Sequence, residues 1–225
     1  MTIVTFRTYS NNSKCSAIEL LDKNDSAVES YIKASCNDRE NSIYEVSAEA
    51  QKRFGLLSMT IFRTPDDHWL LSWAQRVPAM LIEADKIRIL SRNGDVYGSA
   101  DLYKPEIQTI LTGVFSRESK QFLLNNDNTI IVSKDERDVI TSALTLLSES
   151  SERSLRIEKI TYQQHRGFVA KLREQNILVS FGNPPFEKKF KRLFNVLKSM
   201  KDGTSEIKSI ELDYSDKAFL TFKQS

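Results

Sequence analysis

The chain has 225 residues, of which 32 are basic and 30 acidic, giving a formal net charge of +2. That near-balance leaves no strong electrostatic footprint for nucleic acid, and 40% apolar residues with seven Gly and five Pro exclude global disorder and collagen-like or low-complexity architecture. No run approaches the ~20 apolar residues of a membrane span, and Met1 to Tyr9, short and broken by Arg7, does not read as a signal peptide.

Residues 1–14 read as a lead segment, and 15–79 as a small α/β domain. Cys15 to Leu21 is strand-like. Ser26-Ala27-Val28-Glu29 has the spacing of a capping box, with Ser26 as N-cap and Glu29 reaching back. Val28, Tyr31 and Ile32 then supply one apolar helical face, and Ser47 is the candidate cap of a second short helix carrying Ala50 and Phe54. Leu56 to Arg63 and Trp69 to Gln75 are strand-like runs joined by Thr64-Pro65-Asp66-Asp67-His68, where Pro and Asp are turn chemistry. The order is β-α-α-β-β.

From about Pro78 the pattern turns to β. Lys86 to Leu90 and Asp95 to Tyr97 flank Asn93-Gly94, the signature of a type I′ hairpin, whose two central residues both need positive φ. Leu102 to Gly113 is less regular, and Lys120 to Val132, polar at its centre, reads as strand or loop. Ser133 to Glu136 is another capping box, ahead of a helix using Val139, Ile140, Ala143, Leu144 and Leu147; Ser148 to Ser154 reads as a polar break. Three strand-like runs follow, Leu155–Tyr162, Gly167–Arg173 and Asn176–Gly182. Phe186, Phe190, Leu193, Phe194, Leu197 and Met200 then recur at intervals of three and four, a core-facing helix stripe with Gly203 placed to cap it. Ile207 to Tyr214 and Ala218 to Lys223 close the chain as strands. The fold class is α+β: a β-α-α-β-β domain, then a larger mixed or antiparallel β domain over 80–225 with flanking helices.

Little in this pattern points to chemistry. His68 and His165 sit at turns or strand ends, with no G-x-S-x-G elbow and no Cys–His arrangement beside them. Asp66-Asp67 is better explained by a turn than by a carboxylate pair. Two Cys and two His are too few and too scattered for a usual zinc site, and no cofactor is implied. Cys15 and Cys36 read as free buried thiols in preference to a disulfide. Gly182-Asn183-Pro184-Pro185 precedes a helix but lacks the repeated glycines of a phosphate loop. The basic cluster from Lys188 to Arg192 reads as a solvated helix face, with attraction to an acidic partner or membrane surface as the alternative. Trp69, Leu71 and Trp73 share one side of a strand, which favours a core face over an interaction face.

The most informative feature is the final strand. With no element after it in the sequence, it is a candidate edge, and an edge presents unpaired backbone N–H and C=O groups to a partner strand. Ala218, Leu220 and Phe222 alternate with Phe219, Thr221 and Lys223. One set faces core; the other carries Phe219, an apolar group open to a partner.

Several segments together resemble the extracytoplasmic region of the FtsQ/DivIB family of bacterial division proteins. Ile43-Tyr44-Glu45-Val46, Thr60 to Pro65 and Trp69 to Trp73 are similar to the end of that family's POTRA domain, and Gln75-Arg76-Val77-Pro78-Ala79 to its exit. Lys86 to Tyr97 with Ile110-Leu111-Thr112-Gly113, and Ile157 to Gly182 with Lys189 to Tyr214, resemble its β domain. Gln75 stands where the family has an acid, Glu174-Gln175-Asn176 where it has a glycine-bearing turn, and Glu211 and Asp213 where it favours Asp and Arg. The resemblance implies a non-catalytic protein anchored by a single inner-membrane helix, of which this chain is the periplasmic part. It implies docking of FtsB/FtsL-like (DivIC/FtsL) partners by strand addition to the last strand, control of septal peptidoglycan synthesis, and recruitment to the division site through residues of about 15–79. The implied partner-binding residues are Tyr214, on the penultimate strand, and Ala218, Phe219, Leu220, Thr221 and Phe222. The runner-up is a POTRA-type periplasmic chaperone or translocation module; a third reading, a cytosolic enzyme, requires a pocket with convergent polar groups.

Overall fold

A computed structural model describes residues 2–7, 16–20, 26–37, 42–63, 68–100, 107–115, 122–125, 128–200, 206–214 and 217–223. The side chains of 2–7, 16–20, 26, 37, 62–63 and 68–70 fall outside that description, as do Cys15, the Asp66-Asp67 turn and Gly203. The fold is mixed α+β, and the chain divides into two compact units: Met1–Val77 with Leu123–Ile131, and Pro78–Phe122 with Val132–Ser225.

The first unit holds strands β1 (Thr2–Arg7) and β2 (Ser16–Leu20), helices α1 (Ser26–Asn37) and α2 (Ile43–Phe54), and strands β3 (Ser58–Arg63) and β4 (His68–Ala74). The four strands form one antiparallel sheet in the order β2-β1-β4-β3. The expected β-α-α-β-β order is thus preceded by one more strand. Thr2–Arg7 is no lead segment: its alternating β-branched and aromatic residues suit a pleated strand, and it lies between β2 and β4, pairing Val4 with both Leu20 and Leu71.

The core of this unit follows from two periodicities. Val28, Ile32 and Cys36 recur every four residues on α1, and Ile43, Val46 and Ala50 every three or four on α2. Leu71 and Trp73 add alternate positions of β4. The cap of α2 is Ser42, not Ser47. Ser42 Oγ accepts from the Glu45 N–H while the Glu45 carboxylate accepts from the Ser42 N–H. Ser47 lies inside the helix, its hydroxyl donating to the Tyr44 carbonyl at 2.9 Å. Nor does Ser26 precede a helix, for it is the first residue of α1, and Glu29 accepts instead from Lys33. Gly55 ends α2 in the left-handed region at φ 59°. Arg76, buried, donates to the carbonyls of Gly55 and Leu56 at 2.7 Å each, so a cation closes the helix terminus. Cys36 is disulfide-bonded, which corrects its reading as a free thiol.

The short segment Leu123–Ile131 belongs to this first unit. Leu124 bridges Ile130, and Asn128 takes φ 63° at the bend, a conformation that Asn tolerates better than most residues. Thr129 and Ile130 are buried.

The second unit is built on strands β5 (Pro78–Glu83), β6 (Ile87–Ser91), β7 (Val96–Tyr97), β8 (Ile110–Thr112), β9 (Ile157–Gln163), β10 (Gly167–Leu172), β11 (Leu178–Gly182), β12 (Ile207–Glu211) and β13 (Phe219–Phe222), with helices α3 (Lys134–Glu152) and α4 (Glu187–Ser199). Its nine strands form one mixed sheet, β13-β12-β11-β10-β9-β8-β5-β6-β7. Three pairings are parallel, β5 with β8, β8 with β9 and β11 with β12, and α4 makes the crossover that the last of these requires.

One apolar row crosses the sheet in register: Ile82, Leu111, Ile160, Ala170, Val179 and Ile210, all fully buried, and then Leu220 on β13, partly exposed. α3 brings Ile140, Ala143 and Leu146 to the core, and α4 brings Phe190 and Leu193. Phe168, Phe181, Phe186 and Phe190 meet edge-on or tilted at centroid distances of 4.7–6.2 Å. The capping box at Ser133 and Glu136 is in place. The expected polar break at Ser148 is instead helical as far as Glu152, because the hydroxyls of Ser150 and Ser151 donate to the Leu147 carbonyl and do not compete with the helix. At Asn93-Gly94 only Gly94 has positive φ, at 87°, so the type I′ turn gives way to a longer loop closed by Ser91 and Asp95.

Candidate docking edge

β12 and β13 pair antiparallel, Glu211 opposite Phe219, Ile210 opposite Leu220, Ser209 opposite Thr221 and Ile207 opposite Phe222, with a bulge between Ile207 and Ser209. β13 is the outermost strand of the sheet. The Lys223 N–H turns inward to the Glu206 carbonyl at 2.8 Å. Alternation along an antiparallel strand then aims the N–H groups of Phe219 and Thr221 at β12, and those of Leu220 and Phe222 away from the sheet.

The side chains divide the same way. Leu220 continues the buried apolar row. Phe219 and Thr221 lie on the opposite face, in register with Ser180 and Glu211 and with Leu178 and Ser209. Phe222, expected on the core face with Ala218 and Leu220, is 48% exposed opposite the buried Ile207. Phe219 is 50% exposed and Tyr214 52%, and their rings meet at 4.7 Å. Tyr214 is not on the penultimate strand: β12 ends at Glu211, and Tyr214 sits in the connection to β13. The structure therefore brings Tyr214 and Phe219 together, places Ala218 just ahead of the strand, and sets Phe222 at its far end.

Two cations of α4 hold this connection. Arg192 donates through Nη1 to the carbonyls of Tyr214 and Lys217 and through Nη2 to that of Leu212. Lys189 donates to the carbonyls of Phe181 and Asn183 at 2.6 Å each, and lies 3.3 Å from the Asp213 carboxylate. Half of the expected solvated basic face is thus structural, and charge-assisted bonds of this kind are the stronger sort. Sequence reasoning missed both residues. Their only signal was position, three apart and so on one side of the helix. Gly182, at φ 66°, makes the close approach of Asp213 feasible, since a Cβ there would sit 1.7 Å from Asp213 Oδ1.

On the face shared by Phe219 and Thr221, a groove of about 530 Å³ is lined by Lys171, Asn176, Leu178, Lys208 and Lys223. A second cleft of about 480 Å³ runs between the end of α3 and the start of β9, with Ser151, Arg156, Arg173 and Glu174 among its walls. His165 is exposed in the β9–β10 turn, and His68 begins β4. Among the described residues no three His, Cys, Asp or Glu side chains are grouped to hold a metal. The lowered carboxyl pKa values belong to structural pairs: Asp85 through its hydrogen bonds to Arg88, Glu187 through Lys191, and Glu45 through the Ser42 backbone N–H. Among the described residues no helix is long and apolar enough to cross a membrane.

The fold and site together define an α+β protein whose larger sheet, among the described residues, ends on β13 with its outer side unpaired. No protein-family model matches the chain, and no curated protein matches it significantly.

Proposed function

We propose that the chain is a non-catalytic scaffold of the bacterial division machinery, the extracytoplasmic part of an FtsQ/DivIB-like protein that docks an FtsB/FtsL-like partner by strand addition to β13. The observation that carries this reading is the exposed outer strand, with half-exposed aromatics at both ends and two outward N–H groups. The motif resemblance gives the partner its identity, and a first unit of two helices on a sheet is compatible with a POTRA-like domain. A disulfide at Cys36 suits an oxidising, extracytoplasmic setting.

The test is calorimetric titration with the C-terminal peptide of the same organism's FtsB-like protein, against wild type, Phe222→Ala and Phe222→Pro. Proline removes an outward N–H while sparing the ladder to β12, and edge strands tolerate it. Saturable binding that Phe222→Ala weakens and Phe222→Pro abolishes supports the reading. Binding indifferent to both variants, or no binding by the folded wild type, sinks it.

A further inference from the structure

The groove beside β13 has a polarity that strand addition alone does not require. Three of its five lining residues are lysines, around the half-exposed side chain of Leu178. Lys171 is matched by Glu158 at 3.0 Å, whereas no carboxylate among the described residues lies within ion-pairing distance of Lys208. Lys208 lies at the bulge of β12, and Lys223 follows Thr221 by two residues on the same face. At the other end of that face stand Phe219 and Glu211, directly opposed. The outer face of the edge is therefore apolar and acidic at the Phe219 end and basic at the Lys223 end.

We infer that this groove selects an acidic partner segment: a strand added to β13 that sets an apolar side chain beside Phe219 and a carboxylate beside Lys208 and Lys223. Phe219 and Lys223 are two same-face steps apart, about 13 Å along an extended chain. The two partner side chains carry the same spacing. A carboxylate at the Phe219 end meets Glu211 instead, so charge fixes register and direction where backbone pairing alone would let the strand slip. The inference rests on the edge-docking reading and adds to it the chemistry of the occupant.

An array of short extended peptides tests it. Each carries one aromatic residue and, at the spacing of Phe219 and Lys223, either Glu, Gln or Lys, in both chain orders, and is probed with the whole chain, wild type or Lys208→Glu/Lys223→Glu. The expected result is retention of wild type about tenfold greater on Glu than on Lys peptides at low salt, with Gln between them, the preference inverting in the double reversal. Equal retention on all three overturns the groove assignment and leaves edge docking standing. No retention on any peptide by the folded chain removes edge docking, and this inference with it. Vesicles of phosphatidylglycerol make the last arm: wild-type binding lost in the double reversal, without peptide discrimination, gives the lysines to a membrane surface and overturns the acidic-segment assignment.

Discussion

The nine-stranded sheet has two edges, and they are finished differently. At one, β7 is two residues long, with Val96 and Tyr97 both fully buried. The buried Arg88 donates to the carbonyl of Gly98 just past it and to the Asp85 carboxylate. At the other, β13 is four residues long and leaves Phe219 and Phe222 about half exposed. An unprotected edge invites pairing with any extended chain, and proteins usually shorten, charge or cover it. Among the described residues the same sheet shows the remedy at one side and not at the other. On the proposed function the open edge is a place kept for a partner, and the sealed one is the ordinary solution.

The comparison can be broken in four ways. Tyr97→Ala should have the largest effect, destabilising the chain by about 3 kcal/mol or more in denaturant unfolding, because it empties a fully packed site at the sealed edge. Arg88→Ala should cost about 2 kcal/mol in the same measurement, since it strands the carbonyl of the buried Gly98 and takes the ion-pair partner from the partly exposed Asp85, while partner binding at β13 stays unchanged. Phe222→Ala should do the reverse, weakening peptide binding by more than ~1 kcal/mol with stability altered by less than about 0.5 kcal/mol. A Phe222→Ala variant that unfolds as readily as Tyr97→Ala would make β13 a structural edge like β7.

The smallest effect concerns acid. Arg88 holds the Asp85 pKa below its ordinary 3.8, so folding favours the ionised form. The stability this contributes is present above the unfolded value and lost as pH falls through the lower folded one. Asp85→Asn should therefore flatten the pH dependence of unfolding below about pH 4 and change little at neutral pH. Parallel acid titrations of wild type and variant check this.

The sheet order and the open edge were legible to different degrees. The strands from β9 to β13 and the stripe on α4 follow from period-two and period-four patterning, which long, strongly amphipathic segments display plainly. β1 was missed because six residues at the start of a chain carry no turn signal before them, and only pairing on both sides makes them a strand. The Ser42 cap was written in the sequence as Ser-x-x-Glu, but Ser47 drew the assignment because it stands nearer Ala50 and Phe54. Within the site, Phe219 and Phe222 could be named from alternation. The roles of Lys189 and Arg192 could not, because the Asp213 carboxylate beside Lys189 and the Leu212 carbonyl that Arg192 reaches lie 24 and 20 residues away, where only the folded crossover places them. The lysine groove was equally hidden, since its residues come from four separate parts of the chain and converge only through register.

The placement of Leu123–Ile131 has a consequence for synthesis. The first unit is discontinuous: between its two pieces the chain lays down β5 to β8 of the other unit. A ribosome delivers residues in order, so Ile130 reaches the first unit only after roughly a third of the second has emerged, and domain-by-domain folding during translation cannot finish the first unit first. A nascent chain arrested at Val77 should be open to protease where one arrested well past Ile131 is protected, and dividing the gene at the Val77–Pro78 boundary should yield a second fragment that keeps its unit whole and a first that lacks Leu123–Ile131.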